Sequence, residues 1–267
     1  MSRARNIAAL DATVTDLTGS FPRAIAGLTL ARETATNFSV SAGSAANENG
    51  TPSTVLMKRT ASITKTLGAF SVGTGNGALD AGSVSSDTWY HVHLIRRDSD
   101  ARIDVLLSTS ATAPTMPTGW TNRRRIGSIL TNGSSQIVAF SQIGDLFTWS
   151  VPVTDVNATN PGASAVTRAL SVPSGVVVCP VVNWMVNNVT TASVALLVTA
   201  LDQADTTPTA TLCTLAGGGA AANSRSVAVV SSVATNTSRQ VRTRISASGA
   251  SDALVGVTLG WIDKRGA

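Results

Sequence analysis

The chain has 267 residues, of which 43% are hydrophobic, 13% charged and 4% aromatic, with 22 glycines. That is enough apolar matter for a core, while the residues a helical bundle needs are scarce and no apolar run approaches the ~20 residues of a membrane-spanning helix. The balance of 20 basic against 15 acidic residues, net +5, is spread along the chain, so neither a basic stripe with interleaved aromatics for nucleic acid nor a membrane-inserted segment is expected.

Residues 1–27 open the chain as an arm. Ile7, Leu10, Val14 and Leu17 recur at spacings of three and four, an a/d seam of two heptads. Two heptads are too short for an independent coiled coil, but suffice to dock on a partner or to start association in a trimer. The alternative is an extended arm, because Thr13, Thr15 and Thr18 are poor helix formers. Met-Ser-Arg-Ala-Arg-Asn is followed by no apolar stretch of the kind that marks a signal peptide.

Residues 28–150 read as short strands cut by turns. Strands are expected at Asn37–Ala42 and Thr54–Arg59, with residues 43–52 as a loop between them. Gly73-Thr-Gly-Asn-Gly77 reads as a tight Gly-rich turn. It lacks the G-x-G-x-x-G spacing and the Lys-Ser/Thr ending of a phosphate loop. Trp89–Arg97 and Arg102–Ser108 form a hairpin across Asp98-Ser-Asp100, and Asn132-Gly133 marks a second hairpin between Arg125–Thr131 and Gln136–Gln142. Asp145–Ser150 is a further strand.

Residues 151–267 carry seven expected strands: Arg168–Val172, Val176–Val186, Ser193–Leu201, Ala210–Leu215, Val227–Val233, Gln240–Ser246 and Ala253–Asp263. Their spacing, near a dozen residues, suits a β-sandwich. In the last, Val255, Val257, Leu259 and Trp261 share one face and Gly256, Thr258 and Gly260 the other. The fold class is therefore all-β: a β-barrel or sandwich-like module over 28–150 and a jelly-roll-like β-sandwich over 151–267, behind a short arm or helix.

Catalytic equipment is thin. His91 and His93 are the only histidines, and the two-residue period sets them on one strand face with Trp89 and Ile95. Two ligands fall short of the three or four a protein metal site takes, and neither lies near a nucleophile-elbow sequence. Glu33 and Glu48 are the only glutamates, although glycoside hydrolysis needs two facing carboxylates. Asp98, Asp100, Asp202 and Asp205 read as turn formers. No catalytic residue, metal site or cofactor is expected. Trp120, set among the turn residues of Pro117-Thr-Gly-Trp-Thr-Asn122, is expected as an exposed ring for a glycan or an interface. Cys179 and Cys213 read as two small buried thiols or as one bridge.

Four phrases carry a family resemblance: residues 69–83, from Ala69-Phe-Ser-Val-Gly to Asp80-Ala-Gly-Ser83; Thr88-Trp-Tyr-His-Val-His-Leu-Ile-Arg-Arg97; residues 107–117, ending Ala113-Pro-Thr-Met-Pro117; and Arg124-Arg-Ile-Gly-Ser-Ile129. As a series they resemble a module of tailed-bacteriophage virion appendages: tail fibres, collar or neck appendages, and head fibres. The closing Leu259-Gly-Trp-Ile-Asp263 resembles the end of such chains. The likeness is close over 28–150 and looser over 151–267. It implies a non-enzymatic virion structural protein, assembled in the host cytoplasm, usually oligomeric and here expected as a homotrimer. Its expected partners are its own copies, other proteins of the neck, head or tail, and a host-surface glycan. A glycan-binding or glycan-depolymerising tail protein is the alternative.

Overall fold

The computed structural model describes residues 24–49, 55–189, 193–218 and 224–265. The expected docking seam, Ile7, Leu10, Val14 and Leu17, lies outside the described residues. Among these residues every regular element is a β-strand, and the chain is all-β. It divides into two compact units. The first takes residues up to Val138 with Gln142–Gly144 and Lys264 onward; the second takes Ala139–Ser141 and Asp145–Asp263. The boundary expected at residue 150 falls inside a continuous strand, Leu146–Thr159.

In the first unit the strands are β1 (Ile25–Gly27), β2 (Leu30–Arg32), β3 (Asn37–Val40), β4 (Gly43–Ala46), β5 (Leu56–Arg59), β6 (Ile63–Ala69), β7 (Gly77–Leu79), β8 (Trp89–Arg97), β9 (Ile103–Ser108) and β10 (Trp120–Leu130). Seven of them make a curled, half-barrel sheet in the order β10-β8-β9-β7-β6-β3-β2, and β1-β4-β5 form a small second sheet. The stretch expected as a loop after Ala42 thus contains a strand. Its small residues let backbones meet: a Cβ on Gly43 would lie 2.3 Å from the Ala26 carbonyl oxygen, so only glycine fits beside Gly27 in that register.

The β8–β9 hairpin forms where Asp98-Ser-Asp100 places it. Arg97 N–H donates to Arg102 O, and Asp100 Oδ1 accepts from Arg102 N–H. The Asn132-Gly133 turn is longer than a two-residue hairpin. Asn132 Oδ1 accepts from Ser134 and Gln136 N–H, and Ser135 takes the positive φ of 57°. The expected second hairpin does not form a ladder: its arms meet only in an isolated bridge, Thr131 to Ile137, and Phe140–Ile143 pairs instead with Leu146–Thr159.

Arg265 returns to the first unit as a buried clamp. Its guanidinium donates to the carbonyls of Leu28, Ile126 and Gly144 at 3.0–3.1 Å. Its own carbonyl accepts from Arg124 Nη2.

Strand β11 (Phe140–Ile143) leads into the second series: β12 (Leu146–Thr159), β13 (Val166–Ala169), β14 (Cys179–Asn188), β15 (Ser193–Thr199), β16 (Leu215–Gly218), β17 (Ser224–Val230), β18 (Gln240–Ile245) and β19 (Ala253–Ile262). The sheet orders are β11-β12-β19-β14-β17 and β13-β18-β15-β16. From β12 onward the chain winds eight strands through two four-stranded layers, changing layer at every step except β15 to β16, in the strand order of a jelly roll. β12 carries Pro152 inside its span. Its pairing with β19 shifts register between Thr148 and Val153, where a missing N–H is tolerated at a bulge.

The inward face of the β12-β19-β14-β17 layer is not the face richest in aliphatic residues. On β19 the buried positions are Leu254, Gly256, Thr258 and Gly260, while Val255, Val257 and Leu259 are half-exposed. Trp184 of β14 explains this inversion. It pairs with Gly256 and lays its ring where a side chain would stand, so that a Cβ on Gly256 would meet ring carbons at 2.6 and 2.9 Å. Thr258 is held inward by its hydroxyl, which donates to Asp155 Oδ2. Trp261 breaks the alternation and is fully buried, stacked on Phe147 and tilted against Trp149 at 5.0 Å each. The Gly256→Ala variant is expected to lose about 1–3 kcal/mol by overpacking. A denaturant titration followed by tryptophan fluorescence measures this. The loss shrinks in a Trp184→Leu background if the ring is its cause.

Candidate functional site

The chemistry-bearing residues of the first unit collect in two buried clusters, both built on its large sheet. The first lies on β8 and β10, whose register sets Arg125 opposite His93 and Ser128 opposite His91. All seven residues from Trp89 to Ile95 are buried, so the histidine face is interior. His91 Nδ1 lies 2.9 Å from Ser128 Oγ, which also accepts from Arg125 Nη1.

His93 Nε2 is 3.0 Å from the Ser110 carbonyl. A carbonyl only accepts, so Nε2 carries the proton and Nδ1 is bare. Nδ1 faces Glu48 Oε1 at 3.8 Å. Glu48 is held by Arg123 Nε at 3.6 Å and by the N–H of Arg125. Burial, followed by the charges of His91, Arg125 and Arg123, pulls His93 down to about 3 against the opposing bond to Ser110. The ring is neutral at physiological pH despite the nearby carboxylate, and is far from the range a general base works in.

The second cluster joins β6 to β9. Lys65 and Asp104 are both buried, with Nζ 3.1 Å from Oδ1. The ammonium also donates to the carbonyls of Ser71 and Gly73 and sits 5.1 Å from the Phe70 ring centroid. Asp104 accepts from the N–H groups of Gly73 and Val105. Burial lowers the Lys65 pKa, opposed by Asp104. The pair clasps the Gly-rich loop, and with Gly75 N–H bonded to Thr64 O the loop serves as a tight turn.

The other carboxylates are dispersed. Asp98 accepts from Thr121 and Asn122, Asp100 pairs with Arg97, Glu33 accepts from Ser39, and Asp205 pairs with Arg244. Asp202 lines a cleft of about 650 Å³ in the second unit, with Leu197, Thr199, Gln203, Leu212 and Val233, and it is the cleft's sole lining carboxylate. That arrangement lacks the second acid that hydrolysis of a glycoside uses. Among the described residues no three His, Cys, Asp or Glu side chains gather as a metal-ligand set.

Trp120 departs from its expectation. It is buried at the start of β10, packed with Ile95 and Leu106 and edge-on to Phe70, with the Arg97 guanidinium 5.5 Å from its ring centroid. It is a core residue and offers no platform to a sugar. Its turn-rich flank on the N-terminal side hid the strand that begins at the ring itself. Cys179 and Cys213 are free thiols, each half-buried; no bridge joins them, and neither is fully buried.

Sequence reasoning missed Lys65, Asp104 and Arg265. The first two left a signal. Lys65 shares the face of Ile63 and Leu67 by the two-residue period, and Asp104 interrupts the run from Ile103 to Leu107. A lone charge on each of two apolar strand faces points to a buried pair. Arg265 left none.

No family model matches the chain, and neither a curated protein nor a solved structure matches it.

Proposed function

We propose that this chain is a non-enzymatic structural protein of a bacteriophage virion, a fibre, spike or collar component built from three copies. It docks on the particle through its N-terminal arm and turns its sandwich toward partners or the host surface. The observation that carries the non-enzymatic part is the use made of reactive side chains. His91, His93, Lys65 and Asp104 are sealed in the interior and bonded so as to fasten strands and a loop. The low charge density and the jelly-roll sandwich suit a stiff part that works by shape. The virion assignment rests on the resemblance of residues 28–150.

The test is quantitative mass spectrometry of purified particles of the encoding phage, with cross-linking. Peptides of this chain are expected in the particle, cross-linked as trimers. Their confinement to the soluble lysate overturns the virion role. Release of reducing sugar from host polysaccharide by the purified protein overturns the non-enzymatic reading in favour of the depolymerase.

A further inference from the structure

The outward face of β19, β14 and β17 is largely apolar where a solvated sheet face is polar, whereas β12 beside them presents Thr154, Asn157 and Thr159. Register puts Val255, Met185 and Val227 in one cross-strand row and Val257, Asn183 and Val229 in the next. Val227 and Val229 are 58% and 60% exposed. Across β19, β14 and β17 the only charge on this face is Arg225, at one end. β17 is also the last strand of its sheet among the described residues, so its outer backbone groups face no further strand of that sheet. An exposed apolar edge strand without Lys or Pro is a surface that proteins normally protect.

We infer that this face is where copies of this chain meet. Two features favour a second copy over an unrelated partner. First, the surface carries one charge, Arg225 at its end, on a chain of net charge +5, so like copies approach here with little of the repulsion their other surfaces carry. Second, the extent is adequate. Strands of seven to ten residues, flanked by β12, make a face on the order of 500 Å² from ~3.3 Å per residue and ~4.8 Å per strand. Two copies then bury roughly 1,000 Å², the threshold of a specific interface.

This inference rests on the several-copies part of the proposed function and names the surface responsible. The experiment is sedimentation equilibrium of the full chain beside Val227→Lys and Val229→Lys. Both positions are exposed, so both variants are expected to keep the wild-type circular dichroism and melting temperature. The wild type is expected at a multiple of the chain mass, and each variant is expected to weaken association at least a hundredfold. If the lysine variants stay folded and keep the wild-type mass, this face is not the interface, while the several-copies reading stands. A wild type that sediments as a single chain removes both.

Discussion

Replacing Lys65 with alanine is expected to cost the first unit about 3–5 kcal/mol, because it leaves the Asp104 carboxylate buried without its counter-ion. Both partners are at most 1% exposed, so no water reaches the orphaned charge. The same change frees the carbonyls of Ser71 and Gly73, and the Gly-rich loop loses its clasp. Amide hydrogen exchange resolves the effect. Exchange in β6, β9 and the 71–77 loop should accelerate strongly, while amides of the sandwich strands change little. Lys65→Met combined with Asp104→Leu is expected to recover much of the loss by removing both charges. It stays below the wild type, since the N–H groups of Gly73 and Val105 lose their acceptor. Equal stability of Lys65→Ala and the wild type would show that the pair contributes nothing.

The second large effect is acid lability through His93. Its folded pKa lies near 3, against about 6.5 in an unfolded chain. Above pH 6.5 the ring is neutral in both states and its contribution is constant. Below that pH the unfolded chain takes up a proton that the folded one refuses. Stability therefore falls as pH drops from about 6.5 to about 3, and levels off once the folded ring is protonated as well. A shift of this size is worth about 5 kcal/mol at the acid end. Urea titrations of the wild type and of His93→Gln between pH 7 and pH 3 check it. The glutamine keeps a donor for Ser110 but does not titrate, so its profile should be flatter over this window. Parallel profiles would place the proton uptake elsewhere.

Much of the β architecture was legible because it is local. Alternation located β8 to the residue, the Asp98-Ser-Asp100 turn joined it to β9, and the spacing of the last seven strands pointed to the sandwich. What escaped was set by contacts far apart in the chain. Gly256 faces inward because Trp184, on the neighbouring strand, supplies the volume the glycine lacks, and no pattern within β19 contains that fact. Trp120 looked exposed because its preceding neighbours are turn formers, yet its partners Phe70, Ile95 and Leu106 come from other segments. The Lys65–Asp104 pair was half visible, as two misplaced charges with nothing to say that they meet. The Asn132 turn was legible in place but not in type, because Asn132 caps it through its side chain and shifts the positive φ to Ser135.

The Arg265 clamp has a consequence for synthesis. Three of its acceptors lie 237, 139 and 121 residues upstream. A ribosome making this chain releases the whole of β1 to β10 well before the residue that ties them together. Until then the nascent half-barrel exposes carbonyls whose donor does not yet exist. Its final locking therefore waits until the sandwich sequence has been made, and a stop codon just before position 265 would damage the part of the molecule made first.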